Sequence, residues 1–194
     1  KAELEEIRQA CDECNFYLFL DGARLGYGLM SEGNDVTMED LARLCDVFYI
    51  GGTKVGALFG EAVVITNPEL KPDFRYNIKQ HGGMLAKGRL LGIQFEALFE
   101  NGLYFEIAQH AMDMAEKIQA KLCELGAQFT VESPTNQLFV ALPAQIVERL
   151  SEKYVFEPMG KIDENLSIIR ICTSWATKEE NVDMLLADLE REFS

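Results

Sequence analysis

Two apolar runs, Phe16-Tyr17-Leu18-Phe19-Leu20 and Val47-Phe48-Tyr49-Ile50, each end in a turn that carries charge. The first turn is Asp21-Gly22-Ala23-Arg24 and the second is Gly51-Gly52-Thr53-Lys54. Short apolar runs rich in aromatic and β-branched residues, closed by glycine, read as buried strands. Strands apolar on both sides belong in a sheet covered on both faces. In open sheets of that kind, ligands sit in the crevice beyond the strands' carboxyl ends. The residues just past each run are therefore the first candidates for a site.

The rest of the chain supports this reading. Ala2 to Cys14 has the spacing of an amphipathic helix leading into the first strand, and Thr37 reads as the N-cap of a short helix through Leu44. A third apolar run, Ala62-Val63-Val64-Ile65, follows the glycines at 56 and 60. From about Gly88 to Leu125 the pattern is helical, with a break expected at Asn101-Gly102. Beyond Gly126 the pattern is that of a small α+β unit. Its expected strands are Phe129 to Val131, Leu138 to Leu142 and Ile168 to Cys172, and its expected helices are Ala144 to Tyr154 and Lys178 to Phe193. Thr177 with Glu180 three residues on has the form of a capping box. The domain boundary falls in the long helical stretch. Lys1 to Ile7 has no cap ahead of it and no methionine start, which reads as a helix entered partway, hence as a piece of a longer protein.

Composition narrows the classes. With 18 Lys+Arg against 32 Asp+Glu, the formal charge is −14, opposite to what nucleic acid or an anionic membrane surface attracts. No apolar run approaches the roughly 20 residues of a bilayer span, and the charged stretch Lys1 to Glu13 is unlike a signal peptide. Five scattered cysteines (11, 14, 45, 123 and 172) favour reduced thiols in the cytoplasm. Cys11-x-x-Cys14 lacks a second cysteine pair at metal-binding spacing, so no metal is expected.

The chemistry of the two turns is specific. Neighbouring strands lie about 4.8 Å apart, so Asp21 and Lys54 can converge on one small aromatic ring. That pairing suits pyridoxal phosphate (PLP): a lysine forms the Schiff base, while a carboxylate keeps the ring nitrogen protonated. Taken singly, Lys54 reads first as a surface lysine in a glycine turn, and Asp21 as a turn aspartate accepting backbone N–H groups; it is the two together that point to the cofactor. Arg170 lies inside the apolar run Ile168-Ile169-Arg170-Ile171 and needs a partner, either an internal carboxylate or the carboxylate of a substrate. His110 falls on a helix and reads as structural. His81, beside Gly82-Gly83, lies within reach of a site in that loop.

With Asp21, Arg24 and Lys54 in place, the chain resembles the PLP-dependent threonine aldolase / β-eliminating lyase family. Leu20-Asp21-Gly22-Ala23-Arg24-Leu25 is similar to that family's aspartate motif. Thr53 keeps a hydroxyl where its PLP lysine usually follows a serine. Lys79-Gln80-His81-Gly82-Gly83-Met84 is similar to its lysine and Gly-Gly-Met turn, and Thr135-Asn136 and Ile169-Arg170-Ile171 also fit. After Met84 the family usually carries an arginine; here Leu85-Ala86-Lys87 follows, leaving Lys87 or Arg89 as substitutes. The family's N-terminal half, with its phosphate-cradling loop, ring-stacking side chain and substrate histidines, has no counterpart in these residues.

The resemblance implies an α/β, PLP-transferase-like fold (fold type I), with residues 1–95 the end of the PLP-binding large domain and 96–194 a small α+β domain. It implies Lys54 and Asp21 as catalytic residues, with Arg24 and Thr53 beside them as cofactor contacts. Arg170, Arg24 and Lys79 become the contacts of a small amino-acid substrate. The implied activity is cleavage of L-threonine or allo-threonine at Cα–Cβ to glycine and acetaldehyde, in a homodimer or homotetramer. The alternatives are a β-eliminating lyase of the same fold and a non-catalytic fragment.

Overall fold

The two apolar runs become neighbouring parallel strands, β1 (Phe19–Leu20) and β2 (Val47–Gly51), with Phe19 opposite Val47 and Leu20 opposite Phe48. A third strand, β3 (Glu61–Ile65), returns antiparallel along β2, giving the order β1-β2-β3. The computed structural model describes residues 1–193. The chain divides into two units, Lys1–Ile107 and a second beginning at Ala108.

In the first unit, α1 (Ala2–Glu13) precedes β1, and α2 (Leu25–Leu29) and α3 (Met38–Leu44) connect β1 to β2. Thr37 caps α3 as its sequence predicts: its hydroxyl accepts the Asp40 N–H while Asp40 accepts the Thr37 N–H, each at 3.2 Å. Beyond β3 come α4 (Phe74–Gln80), α5 (Arg89–Phe99) and α6 (Leu103–Glu124). Asn101, with φ 57°, takes the left-handed conformation that interrupts the helical run. One carboxylate organises the start of the sheet. Asp46 Oδ2 accepts the Leu18 N–H and an Arg8 N–H, both at 2.7 Å, and Oδ1 accepts from Asn67 at 2.8 Å.

Two expectations need correction here. The first strand is two residues long, because Phe16 and Tyr17 are exposed and precede the pairing with β2. Nor is the sheet covered on both faces among the described residues. Phe48 and Ile50 are buried on one face, whereas Phe19 and Val63, flanking Tyr49 on the other, are 58% and 51% exposed.

The second unit is a four-stranded antiparallel sheet of order β4-β5-β7-β6, from β4 (Gln128–Val131), β5 (Gln137–Pro143), β6 (Glu157–Lys161) and β7 (Leu166–Cys172). Its helices are α7 (Ala144–Ser151) and α8 (Glu179–Phe193). Leu122, Leu138, Val140, Leu142, Ile169 and Leu189 form a core within this unit, each such side chain contributing about 1.5–3 kcal/mol on burial. β6 was not legible in the sequence: it carries Pro158 and Gly160 and every residue is exposed, as an edge strand tolerates. Helix α7 stops at Ser151 rather than Tyr154. Thr177 turns its hydroxyl upstream to the Ser174 N–H at 2.8 Å, away from the anticipated capping box.

Asp188, 6% exposed, is the charged hub of this unit, bonded by Lys153 Nζ and Tyr154 Oη at 2.6 Å and by Arg191 at 2.9 Å. The Lys153 bond is the leading reason its carboxyl falls from 3.8 to about 2. A depressed carboxyl stabilises the fold above its unfolded value, and that contribution fades as pH falls through the folded one. Asp188→Asn is therefore expected to lower the urea midpoint at neutral pH. Its midpoint should also fall less than the wild type's between pH 3.8 and about 2.

Candidate active site

Parallel pairing of β1 with β2 brings the two charged turns to the same end of the sheet. They are joined directly, since the Gly51 N–H donates to the Gly22 carbonyl at 2.9 Å. That closeness requires glycine on both sides. A Cβ at Gly22 would overlap the Tyr49 carbonyl oxygen, and one at Gly51 would overlap the Gly22 and Ala23 carbonyls.

A single buried tyrosine ties the same junction from below. Tyr104, 0% exposed, donates its hydroxyl to the Gly51 carbonyl at 3.0 Å and accepts the Gly26 N–H at 3.1 Å. Its ring stacks on Phe99 at 5.0 Å and 16°. Burial, chiefly, pushes its phenol far above the ordinary range, while the Gly26 bond pulls the other way. It therefore acts as a neutral donor and acceptor.

Past Gly51 the chain makes a tight turn, with Val55 and Ala57 N–H groups both donating to the Gly52 carbonyl at 2.9 Å. Glu61 Oε2 accepts the Gly52 N–H at 2.5 Å, Thr53 Oγ1 reaches the Gly60 carbonyl at 3.5 Å, and the buried Tyr27 donates its hydroxyl to the Lys54 carbonyl. The backbone of Lys54 is thus held firmly while its side chain is exposed.

Asp21 is exposed at the end of β1. Its Oδ1 accepts the Tyr49 hydroxyl and, at 3.1 Å, the Ala23 N–H; Oδ2 accepts no hydrogen bond among the described residues. The Tyr49 bond is the leading cause of its carboxyl lying below the usual range, followed by the Ala23 N–H, and the positive charge of Lys54 adds to it. Asp21 and Lys54 are therefore electrostatic neighbours.

The other residues singled out by the sequence are distributed as follows. Arg24 is half-buried and is the N-cap residue of α2. Lys79 is exposed in the last turn of α4, His81 is its exposed C-cap, and Lys87 and Arg89 are exposed beyond it. In the second unit, Arg170 is half-buried on β7, with Glu157 opposite it in the register. Its polar contact is not with that acid: one guanidinium nitrogen lies 3.4 Å from Gln137 Oε1, and the enclosed Nε has no hydrogen-bond partner among the described residues. His110 Nε2 bonds the Thr177 carbonyl at 2.7 Å, and Met112 and Met114 are buried. The cysteines are free thiols.

Sequence reasoning missed Tyr27, Tyr49, Glu61 and Tyr104. Pairing of β2 with β3 brings Glu61 to the second turn, and pairing of β1 with β2 brings Tyr49 to Asp21. Tyr104 is hidden among the apolar positions of a helix.

This arrangement is the type I fold of PLP-dependent enzymes. Residues 1–145 match the beta-eliminating lyase family, and the chain belongs to that family. A curated relative, the low specificity L-threonine aldolase of a Pseudomonas species, is 30% identical over 192 residues, covering 96% of this chain and 54% of that protein. A solved structure of Leishmania major threonine aldolase superposes with a TM-score of 0.97 at 44% identity, covering 100% of this chain and 56% of that one. Serine palmitoyltransferase from Sphingomonas wittichii shares the fold at 15% identity and a TM-score of 0.67, over 97% of this chain and 50% of its own. The chain spans about half the length of these relatives. No helix among the described residues is long and apolar enough to cross a membrane.

Tyr104→Phe keeps the ring stacking but strands the Gly26 N–H and the Gly51 carbonyl in a buried position. An unpaired buried group costs about 1–3 kcal/mol. The urea midpoint of the variant should fall accordingly, with the amide of Gly26, which loses its acceptor, exchanging faster in hydrogen exchange read by NMR.

Proposed function

We propose that this chain carries the cofactor lysine and the ring-nitrogen acid of a PLP-dependent lyase. Its reaction would be cleavage of L-threonine and allo-threonine at Cα–Cβ to glycine and acetaldehyde, in a homodimer or homotetramer. The observation that carries this reading is the pairing of Asp21 with Lys54 at the ends of adjacent parallel strands, in a member of the beta-eliminating lyase family.

The residues suit the cofactor. Asp21 keeps Oδ2 open, an anionic acceptor of the kind a pyridinium N–H requires. Lys54 offers an exposed primary amine on a backbone that Tyr27 and the Gly52 turn hold still. When bound, PLP supplies a sink for the electron pair left at Cα. The protein's part is to hold that ring and orient the substrate. Lys54 gives up a proton to react as an amine, and Asp21 keeps the ring nitrogen charged. Arg24 and Thr53 are the proposed further cofactor contacts. Arg24 and Lys79 are proposed contacts of the substrate carboxylate, and so is Arg170, whose Nε has no hydrogen-bond partner among the described residues. A carboxylate held by a planar guanidinium cannot rotate freely about Cα, which selects the bond that breaks.

Borohydride reduction of the full-length protein with PLP, followed by peptide mass mapping, should place a pyridoxyl group on Lys54. Lys54→Ala should lose both the adduct and turnover. Arg170→Ala is expected to raise KM for threonine by about tenfold or more, the loss expected for a charge-assisted bond. Glycine and acetaldehyde in equal amounts identify the aldol cleavage; ammonia and a keto acid from a β-substituted amino acid identify elimination instead. A folded protein with no adduct on Lys54 overturns the reading.

A further inference from the structure

Tyr49 lies on β2 two residues before Gly51, on the sheet face it shares with Phe19 and Val63. Its ring is 6.0 Å from that of Phe19, and its hydroxyl donates to Asp21 Oδ1. The Ala23 N–H occupies the same oxygen at 3.1 Å. Two donors on Oδ1 and none on Oδ2 fix the rotation of the carboxyl group, so one oxygen belongs to the protein and the other faces outward. A lone N–H from the following turn leaves such a short side chain freer to rotate. The tyrosine supplies the second point that defines the plane.

We propose that Tyr49 is a positioning residue for Asp21, aiming Oδ2 at the ring nitrogen of PLP. This rests on the PLP reading above and deepens it by one residue.

The electrostatics agree with that role. The hydrogen bond lowers the Asp21 carboxyl and, reciprocally, pushes the Tyr49 phenol up to about 12. The shared proton therefore stays on the tyrosine, and the carboxylate stays anionic, across the neutral range. The other charged groups acting on the pair are Lys54, which attracts the Asp21 carboxylate, and Glu61, which opposes ionisation of Tyr49. Both favour the same protonation state. No other side-chain donor reaches Asp21 among the described residues. The tyrosine ring also packs beside Phe19, so Tyr49→Phe removes the hydroxyl while keeping that contact.

The test uses the full-length protein as wild type, Tyr49→Phe, Asp21→Asn and the double variant. Carbon-13 NMR of the Asp21 carboxyl in the cofactor-free protein should titrate at higher pH in Tyr49→Phe than in wild type. PLP dissociation, followed by fluorescence, should weaken about tenfold in Tyr49→Phe, the scale of one hydrogen bond to a charged group. Lys54 should still be labelled at saturating PLP. The decisive comparison is the double variant: a tyrosine acting through Asp21 adds nothing once Asp21 is Asn, whereas an independent packing role adds in full. An unchanged Asp21 titration, or a Tyr49→Phe effect of equal size in the Asp21→Asn background, overturns the inference. If the titration moves as expected but wild-type Lys54 takes no PLP, the cofactor reading is what has failed and the positioning role falls with it.

Discussion

The junction between Gly22 and Gly51 is the constraint on which the rest of the first unit depends. One backbone hydrogen bond joins the turn after β1 to the end of β2, and the hydroxyl of Tyr104 joins the end of β2 to the start of α2. Glycine on each side allows the backbones to approach that closely. A buried tyrosine with both its donor and acceptor capacity used is costly to replace, because the groups it satisfies are remote from water. Two turns that are far apart in the sequence thereby become a single rigid platform.

On that platform the side chains that matter remain exposed while their backbones are fixed. Lys54 has its carbonyl held by Tyr27 and its turn closed on Gly52. Asp21 has one carboxylate oxygen engaged and one open. For the proposed cofactor site, backbones fixed in this way would keep ordering costs low at the moment of binding. In the second unit, the strand of Arg170 is fixed by pairing with β5 and β6, while its Nε lacks a partner among the described residues.

Several features were legible because they follow from local chemistry. Thr37 with Asp40 forms the predicted cap, and the break at Asn101-Gly102 falls where a left-handed residue interrupts the helical run. The family resemblance rested on short motifs, and the beta-eliminating lyase family matches residues 1–145. Other features escaped. Phe16 and Tyr17 look like strand residues but lie outside the pairing, because aromatic propensity cannot say where a neighbouring strand begins. The edge strand β6 has no apolar alternation, so nothing in Glu157–Lys161 marks it.

The sequence by itself determined the chemical kinds present and their local settings: an aspartate and a lysine in glycine turns after apolar runs, an arginine inside a third run, and a strongly acidic surface. Those properties are carried by neighbours within a few residues. Only the tertiary structure decided that the two turns bond to one another, that Tyr104 bonds Gly51 and Gly26, and that Tyr49 rather than a backbone group alone holds Asp21. Each of these depends on strand order and register. A shift of one residue in β2 would turn Tyr49 to the opposite face, and no local pattern records which register the assembled sheet adopts.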